Sequence, residues 1–131
     1  MSHRLHSEER LKSRREIGRL FAPGSGTAAA YPIRVLYRVA ERPQGPHPVR
    51  VAFAVPKKRF KRAVDRNLLK RRMREAYRLH KDKLARPQVP GEFGEQWVLL
   101  VLYTGREAVP FAVIEKKIAR ILSRLERPEQ A

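Results

Sequence analysis

Residues 57–81 read KKRFKRAVDRNLLKRRMREAYRLHK, and the way this stretch divides into two faces decides the fold around it. An α-helix advances about 100° per residue. With Arg66 as origin, an arc of roughly 140° collects Arg66, Tyr77, Lys70, Lys81, Arg74, Asn67, Arg78 and Arg71. The opposite arc collects Leu68, Leu79, Ala76, Leu69 and Met73, interrupted by Arg72 and His80. A helix of this kind, read over 61–81, buries one side and presents a cationic stripe on the other. An ordinary solvated face mixes both signs at i,i+4 spacing, whereas here Asp65 and Glu75 are the sole acids. Neighbouring cations therefore repel one another with little internal compensation, and a polyanion relieves that repulsion. A one-sided basic stripe is the electrostatic footprint of a nucleic-acid partner.

Outward from this helix, composition bounds the rest. The chain has 131 residues, enough for one domain with a single core. Lys and Arg number 30 against 13 Asp and Glu, for a formal net charge of +17. A disordered basic tail carries similar charge, but 42% hydrophobic residues in periodic runs require a folded core. The partner is then a polyanion or an anionic membrane, and the basic helix has no Trp or Phe on its apolar arc to anchor it in lipid. With no cysteine, disulfides and thiolate metal sites are excluded. The opening MSHRLHSEERLKSRRE lacks the apolar core of a secretory signal, and the longest apolar run, Trp97 to Tyr103, is too short to span a bilayer. These features predict a cytoplasmic protein.

On either side of the helix the elements follow from period. Residues 1–10 read as a loose charged lead-in, and 127–131 as a loose end. Ser13-Arg14-Arg15-Glu16 fits a capping box, and Ile17, Leu20 and Phe21 share one face of a helix over 13–22, stopped by Pro23-Gly24-Ser25-Gly26. Tyr31, Ile33, Val35 and Tyr37 alternate with Arg34, Leu36 and Arg38, as a strand requires. After the Pro- and Gly-rich loop 42–48, Val49, Val51, Phe53 and Val55 alternate with Arg50, Ala52 and Ala54, which suits an antiparallel hairpin with the first strand. Arg86 to Gly94 reads as an exposed loop, and Trp97 to Tyr103 as a central strand buried on both faces. A last helix over 110–126 buries Phe111, Ile114, Ile118, Ile121, Leu122 and Leu125. The order αββαβα predicts a compact single-domain α/β sandwich, residues 1–131 forming one RNA-binding domain.

No catalytic constellation accompanies the fold. His3, His6, His47 and His80 lie far apart, without the spacing of a shared metal site. A protein-only ribonuclease needs a general base and acid converging on one phosphate, and the carboxylates here are scattered among helices. Ser13 reads as a cap. Gly24-Ser25-Gly26 lacks the lysine and the strand-to-helix context of a phosphate loop. Any bond cleavage is expected to belong to a partner.

Phe53-Ala-Val-Pro-Lys-Lys58, a short spacer, and Arg66-Asn67-Leu-Leu-Lys70-Arg71-Arg-Met-Arg74-Glu-Ala-Tyr77-Arg78 together resemble the signature of the bacterial ribonuclease P protein component. So do Arg10-Leu11-Lys12, then Ile17, Phe21 and the glycine turn; the match covers roughly 10–125. The resemblance implies a fold like the second domain of the fifth small-subunit ribosomal protein. It also implies a small protein that assists a catalytic RNA subunit in removing the 5′ leader of precursor tRNA, one protein per RNA. Any magnesium would be held through the RNA, with no cofactor on the protein. By position, Arg66, Asn67, Lys70, Arg71, Arg74 and Arg78 match the family's RNA-binding helix, and Lys57, Lys58 and Lys61 the lysines before it. Ile17, Phe21 and Tyr37 match positions of the leader cleft, with Ile17 standing where the family often has an aromatic residue. Leu68 follows Arg-Asn where the family often has a polar residue, and the wheel above puts it on the buried arc. Two other classes share the charge pattern. A ribosomal or RNA-chaperone protein without an enzyme role would copurify with ribosomal subunits. A nonspecific DNA-binding protein would bind duplex DNA as well as tRNA precursors.

Overall fold

Strands whose side chains alternate between two faces need cover on both, and helices supply it here. The computed structural model describes residues 5–84 and 96–125. In chain order it has a 3₁₀ turn (Ser7–Glu9), α1 (Arg14–Arg19), β1 (Gly26–Ala30), β2 (Ile33–Val39), β3 (Val49–Ala54), α2 (Ala63–His80), a 3₁₀ turn (Lys81–Lys83), β4 (Trp97–Tyr103) and α3 (Phe111–Arg124). The four strands lie in the order β1-β2-β4-β3, with β3 parallel to β4 and the other pairs antiparallel. The α/β sandwich expected from the sequence is present, with one strand more than the pattern revealed. The loop read at Arg86 to Gly94 lies outside the described residues.

Two expectations are corrected. β1 reads Gly-Thr-Ala-Ala-Ala, with a single β-branched residue, so no alternation announced it. β2 and β3 do not form a hairpin, because β4 lies between them. β4 is the strand apolar on both faces, and a central position between β2 and β3 is where both faces are covered.

One face of the sheet carries Ile33, Val35, Tyr37, Val51, Trp97, Leu99, Val101 and Tyr103, packed against Leu69, Met73, Ala76 and Tyr77 of α2 and Ile114, Ile118 and Ile121 of α3. The other face carries Val98 and Leu100, packed beneath Leu11, Leu20 and Ala40. Within the first core, Tyr37 stacks on Trp97 with ring centroids 5.9 Å apart. Tyr37 also faces Gly26 across the β1–β2 ladder, where an added Cβ would come within 2.5 Å of its ring. Gly26→Ala is therefore expected to displace the Tyr37 ring and destabilise the protein by about 1–3 kcal/mol, measurable as a lower midpoint in urea.

The lead-in is docked over its described part, against the expectation of a loose segment. Leu11 N–H donates to Val51 O at 2.9 Å, and Arg10 bridges to Val51 at the free edge of β3. Glu9 is buried and accepts from Lys81 Nζ at 2.9 and 3.1 Å, tying the N-terminal segment to the end of α2.

Candidate nucleic-acid interface

The basic helix is rotated from its sequence-based reading. Leu69, Met73, Ala76 and Tyr77 form the buried stripe, while Leu68 is 39% exposed. The buried centre thus lies about 50° round the helix from the arc that Leu68 and Leu79 suggested. Tyr77 causes the rotation: its ring is fully enclosed and packs edge-on against Phe53, with centroids 5.9 Å apart. Burial pushes the Tyr77 hydroxyl well above the usual tyrosine range, so it stays neutral. Tyr77 therefore leaves the cationic arc and Leu68 leaves the core.

The cations on the arc play unequal parts. Asn67 and Arg71 are exposed, and Lys70 and Arg74 are half-buried. Arg74 lies over the Phe53 ring at 6.0 Å. Partial burial, then the nearby charges of Arg10 and Arg71, lower its pKa. Like charges crowded in this way favour an anion between them. Arg66 Nη1 instead donates to Phe60 O and Lys61 O, each at 2.8 Å, and so shapes the turn before α2. Arg78 is paired with Glu75, its Nε lying 3.2 Å from Oε2, and this pairing raises its pKa and lowers that of Glu75. Arg72 points away from the arc and donates to Val109 O at 2.6 Å, fixing α2 to the start of α3.

Lys57, Lys58 and Lys61 are exposed on the turn that leads into α2. Backbone bonds from Arg59 and Phe60 to Pro56 O, both 3.3 Å, close this turn. Phe60 anchors it edge-on against Tyr103 at 5.6 Å. The lysines are thus presented next to the N-terminus of α2, continuous with its exposed cations.

The face beneath α1 is the second candidate surface. Strand register sets its side chains in rows: Arg38, Val98 and Arg50; Leu36, Leu100 and Ala52; Arg34, Leu102 and Ala54. The middle of this face is shallow and apolar, with Ile17, Leu36, Ala52 and Ala54 only partly covered. Phe21, in the turn that follows α1, has 62% of its surface exposed, while Leu20 next to it supplies the buried contact. Tyr37 does not belong here. It is buried on the opposite face of β2, because residues at odd positions of that strand point to the α2–α3 core. The structure thus places Ile17 on this face and Phe21 in the exposed turn after α1, and separates Tyr37 from both.

α1 is short and is held by a buried polar knot. Ser13 Oγ accepts from Glu16 N–H at 3.2 Å, as a helix cap should. The Glu16 carboxylate, expected to close a capping box, is used elsewhere: it accepts from Arg50 Nη2 at 3.1 Å, both side chains being buried. Arg50 Nε donates to Gln96 Oε1 at 2.8 Å, and Gln96 Nε2 donates to Gln44 O and His47 O, both at 2.7 Å. The loop between β2 and β3 is thereby fastened to α1. Arg38 Nη1 donates to Arg19 O at 2.9 Å and Arg19 pairs with Glu41 at 3.2 Å, securing the far end of the helix. Arg34, Arg50 and Arg59 carried no motif that marked them individually; Arg34 and Arg50 were legible only as outward positions of alternating strands, and Arg10 only as part of the Arg10-Leu11-Lys12 match. Among the described residues, no group of three His, Cys, Asp or Glu side chains is arranged to hold a metal ion, and no helix is long and apolar enough to cross a membrane.

Comparison with known proteins bears on this arrangement. A family model described as Ribonuclease P matches residues 5–126. The ribonuclease P protein component of Chlorobaculum tepidum is 42% identical over 108 residues, covering 78% of this chain and 69% of the relative. That of Chlorobium phaeobacteroides is 33% identical over 135 residues, covering 95% of this chain and 90% of the relative. Among solved structures, the RNase P protein from Thermotoga maritima superposes with a TM-score of 0.67 at 25% identity, covering 89% of this chain and 97% of that one.

Proposed function

The chain belongs to the ribonuclease P protein component family and is a protein subunit of that ribonucleoprotein endoribonuclease, and we propose that its part in the reaction is binding alone. Lys57, Lys58, Lys61, Asn67, Lys70, Arg71 and Arg74 neutralise and position phosphates of the catalytic RNA subunit. Arg66 and Arg78 act mainly by holding the turn and the helix surface in shape. The face beneath α1 takes the single-stranded 5′ leader of precursor tRNA: Ile17, Leu36, Ala52 and Ala54 form an apolar floor, and Phe21 offers a ring for stacking. Bond cleavage belongs to the RNA, with magnesium held there, in a cytoplasmic complex of one protein per RNA. The observation that carries this reading is the crowding of Arg10, Arg71 and Arg74 on a face with few acids, beside an exposed lysine turn. Single-stranded RNA is held by this pairing of basic tracks with aromatic platforms.

The leader assignment makes a differential prediction. Only precursor tRNA carries a leader, so Phe21→Ala should weaken precursor binding by the holoenzyme and spare mature tRNA. A lost stack corresponds to about 1–3 kcal/mol, so the ratio of the two affinities should fall by roughly tenfold. Phe21 is exposed and its loss should leave the fold intact. Equal weakening of both tRNAs would place Phe21 at the RNA subunit instead.

A further inference from the structure

At the end of the sheet remote from the Glu16–Arg50 knot, the β1–β2 turn, the turn after Pro56 and the turn after Tyr103 enclose a groove of about 450 Å³. Tyr31, Arg34, Arg59, Thr104 and Arg106 line it. Its frame is tightly tied. Thr104 N–H donates to Pro32 O at 2.7 Å, and Arg59 Nη1 donates to Thr104 O at 2.6 Å. Tyr103 Oη donates to Glu107 O at 2.5 Å. Gly105 is so closely packed that an added Cβ would lie 2.8 Å from Pro32. Three turns far apart in sequence are thus locked around one concavity.

The lining is chemically one-sided. Tyr31 is 68% exposed, and among the described residues no other ring stacks on it. Arg34, Arg59 and Arg106 are exposed, and among the described residues none of them is paired with a carboxylate. Elsewhere in the molecule Arg15, Arg19, Arg50 and Arg78 all have such partners. Guanidinium groups gathered around an open aromatic ring suit a ligand with a flat base and flanking phosphates. The ring stacks on any base, and the planar donors match phosphate geometry.

Position favours RNA as the occupant. Arg59 belongs to the turn that presents Lys57, Lys58 and Lys61, and Arg34 lies on the face beneath α1 in line with Leu102 and Ala54. The groove therefore joins the two surfaces assigned above. We propose that it holds one nucleotide of a single-stranded RNA segment, the base on Tyr31 and the adjoining phosphates on Arg34, Arg59 and Arg106. This inference rests on the RNA-binding function proposed for the chain and adds a site beyond α2, at the margin of the α1 face where Arg34 lies.

A tryptophan placed at the stacking position reads the site directly. Trp97 is the sole native tryptophan and is fully buried, so the indole of Tyr31→Trp reports separately. Titration of the full chain with a single-stranded RNA of about ten nucleotides should quench that emission. A fully base-paired duplex of the same sequence should not. In the unlabelled chain, Tyr31→Ala should weaken binding of the single strand about fivefold or more, with Tyr31→Phe near wild type. Arg34→Ala and Arg106→Ala should each flatten the salt dependence by about one unit. Wild-type binding of the RNA subunit with no quench and no effect of Tyr31→Ala overturns this site alone. Equal quenching by the duplex also overturns it, since a paired base cannot stack on Tyr31. A wild-type chain that fails to bind the RNA subunit at all removes the proposed function and this site with it.

Discussion

Replacing Lys70, Arg71 and Arg74 together by alanine is expected to lower affinity for the RNA subunit by on the order of 100-fold at low salt. These cations, with Lys57, Lys58 and Lys61, can neutralise about six phosphates. Counterion release then sets a wild-type slope of log affinity against log salt of about −4 to −5. The triple variant should flatten that slope by roughly three units, and Arg71→Ala alone by about one. Arg78→Ala should have a smaller effect, because Arg78 is already paired with Glu75. Leu69→Ala supplies the contrast. Leu69 is fully buried, so its truncation should lower stability by about 2–5 kcal/mol and leave the slope of the folded fraction unchanged. Binding measured across a salt series for each variant checks the set. An unaltered slope in the triple variant would mean that the stripe is merely solvated.

Glu16→Ala is expected to destabilise the protein by about 3–5 kcal/mol. Glu16 and Arg50 are both buried, 3.1 Å apart, and removing the carboxylate strands a guanidinium charge away from water. Gln96 and Arg42 O would remain as its acceptors, neither of them charged. Glu16→Ala combined with Arg50→Met should recover much of the loss, because the uncompensated charge has gone. Urea denaturation of the single and double variants makes the comparison. A Glu16→Ala protein within about 1 kcal/mol of wild type would show that water reaches the knot. Since the knot positions α1 over the sheet, the single variant should also impair leader-dependent binding while sparing the α2 salt slope.

Particular residues show where the sequence was readable and where it was not. β4 could be placed at the centre because WVLLVLY has no polar face. The cationic character of α2 was equally plain, but its rotation was not. Tyr77 and Arg66 sit on an edge of the arc where bulk and charge compete, and the Phe53 ring on a distant strand decides in favour of burying Tyr77. Leu68 lies half a turn round from Tyr77, at the far edge of the apolar arc, and turns outward as Tyr77 turns in. β1 is an edge strand of small residues, and its pairing depends on Tyr37 covering Gly26, which no local pattern encodes. Tyr37 matched a family position by motif, yet strand parity turns it into the core. The Glu16–Arg50–Gln96 knot joins residues from three separate segments, so each looked like an ordinary surface polar residue until folding brought them together.

The central claim is that this chain contributes binding and its RNA partner contributes cleavage. The direct measurement incubates precursor tRNA with the purified chain, with the ribonuclease P RNA of the same organism, and with both, at fixed magnesium and near-physiological salt. Cleavage at the mature 5′ end is predicted to require the RNA, to be strongly enhanced by the chain, and to be absent with the chain alone. RNA-free protein that cuts at that position, with contaminating nuclease excluded by an inactive mock preparation, would contradict it, as would an RNA whose activity the chain leaves unchanged.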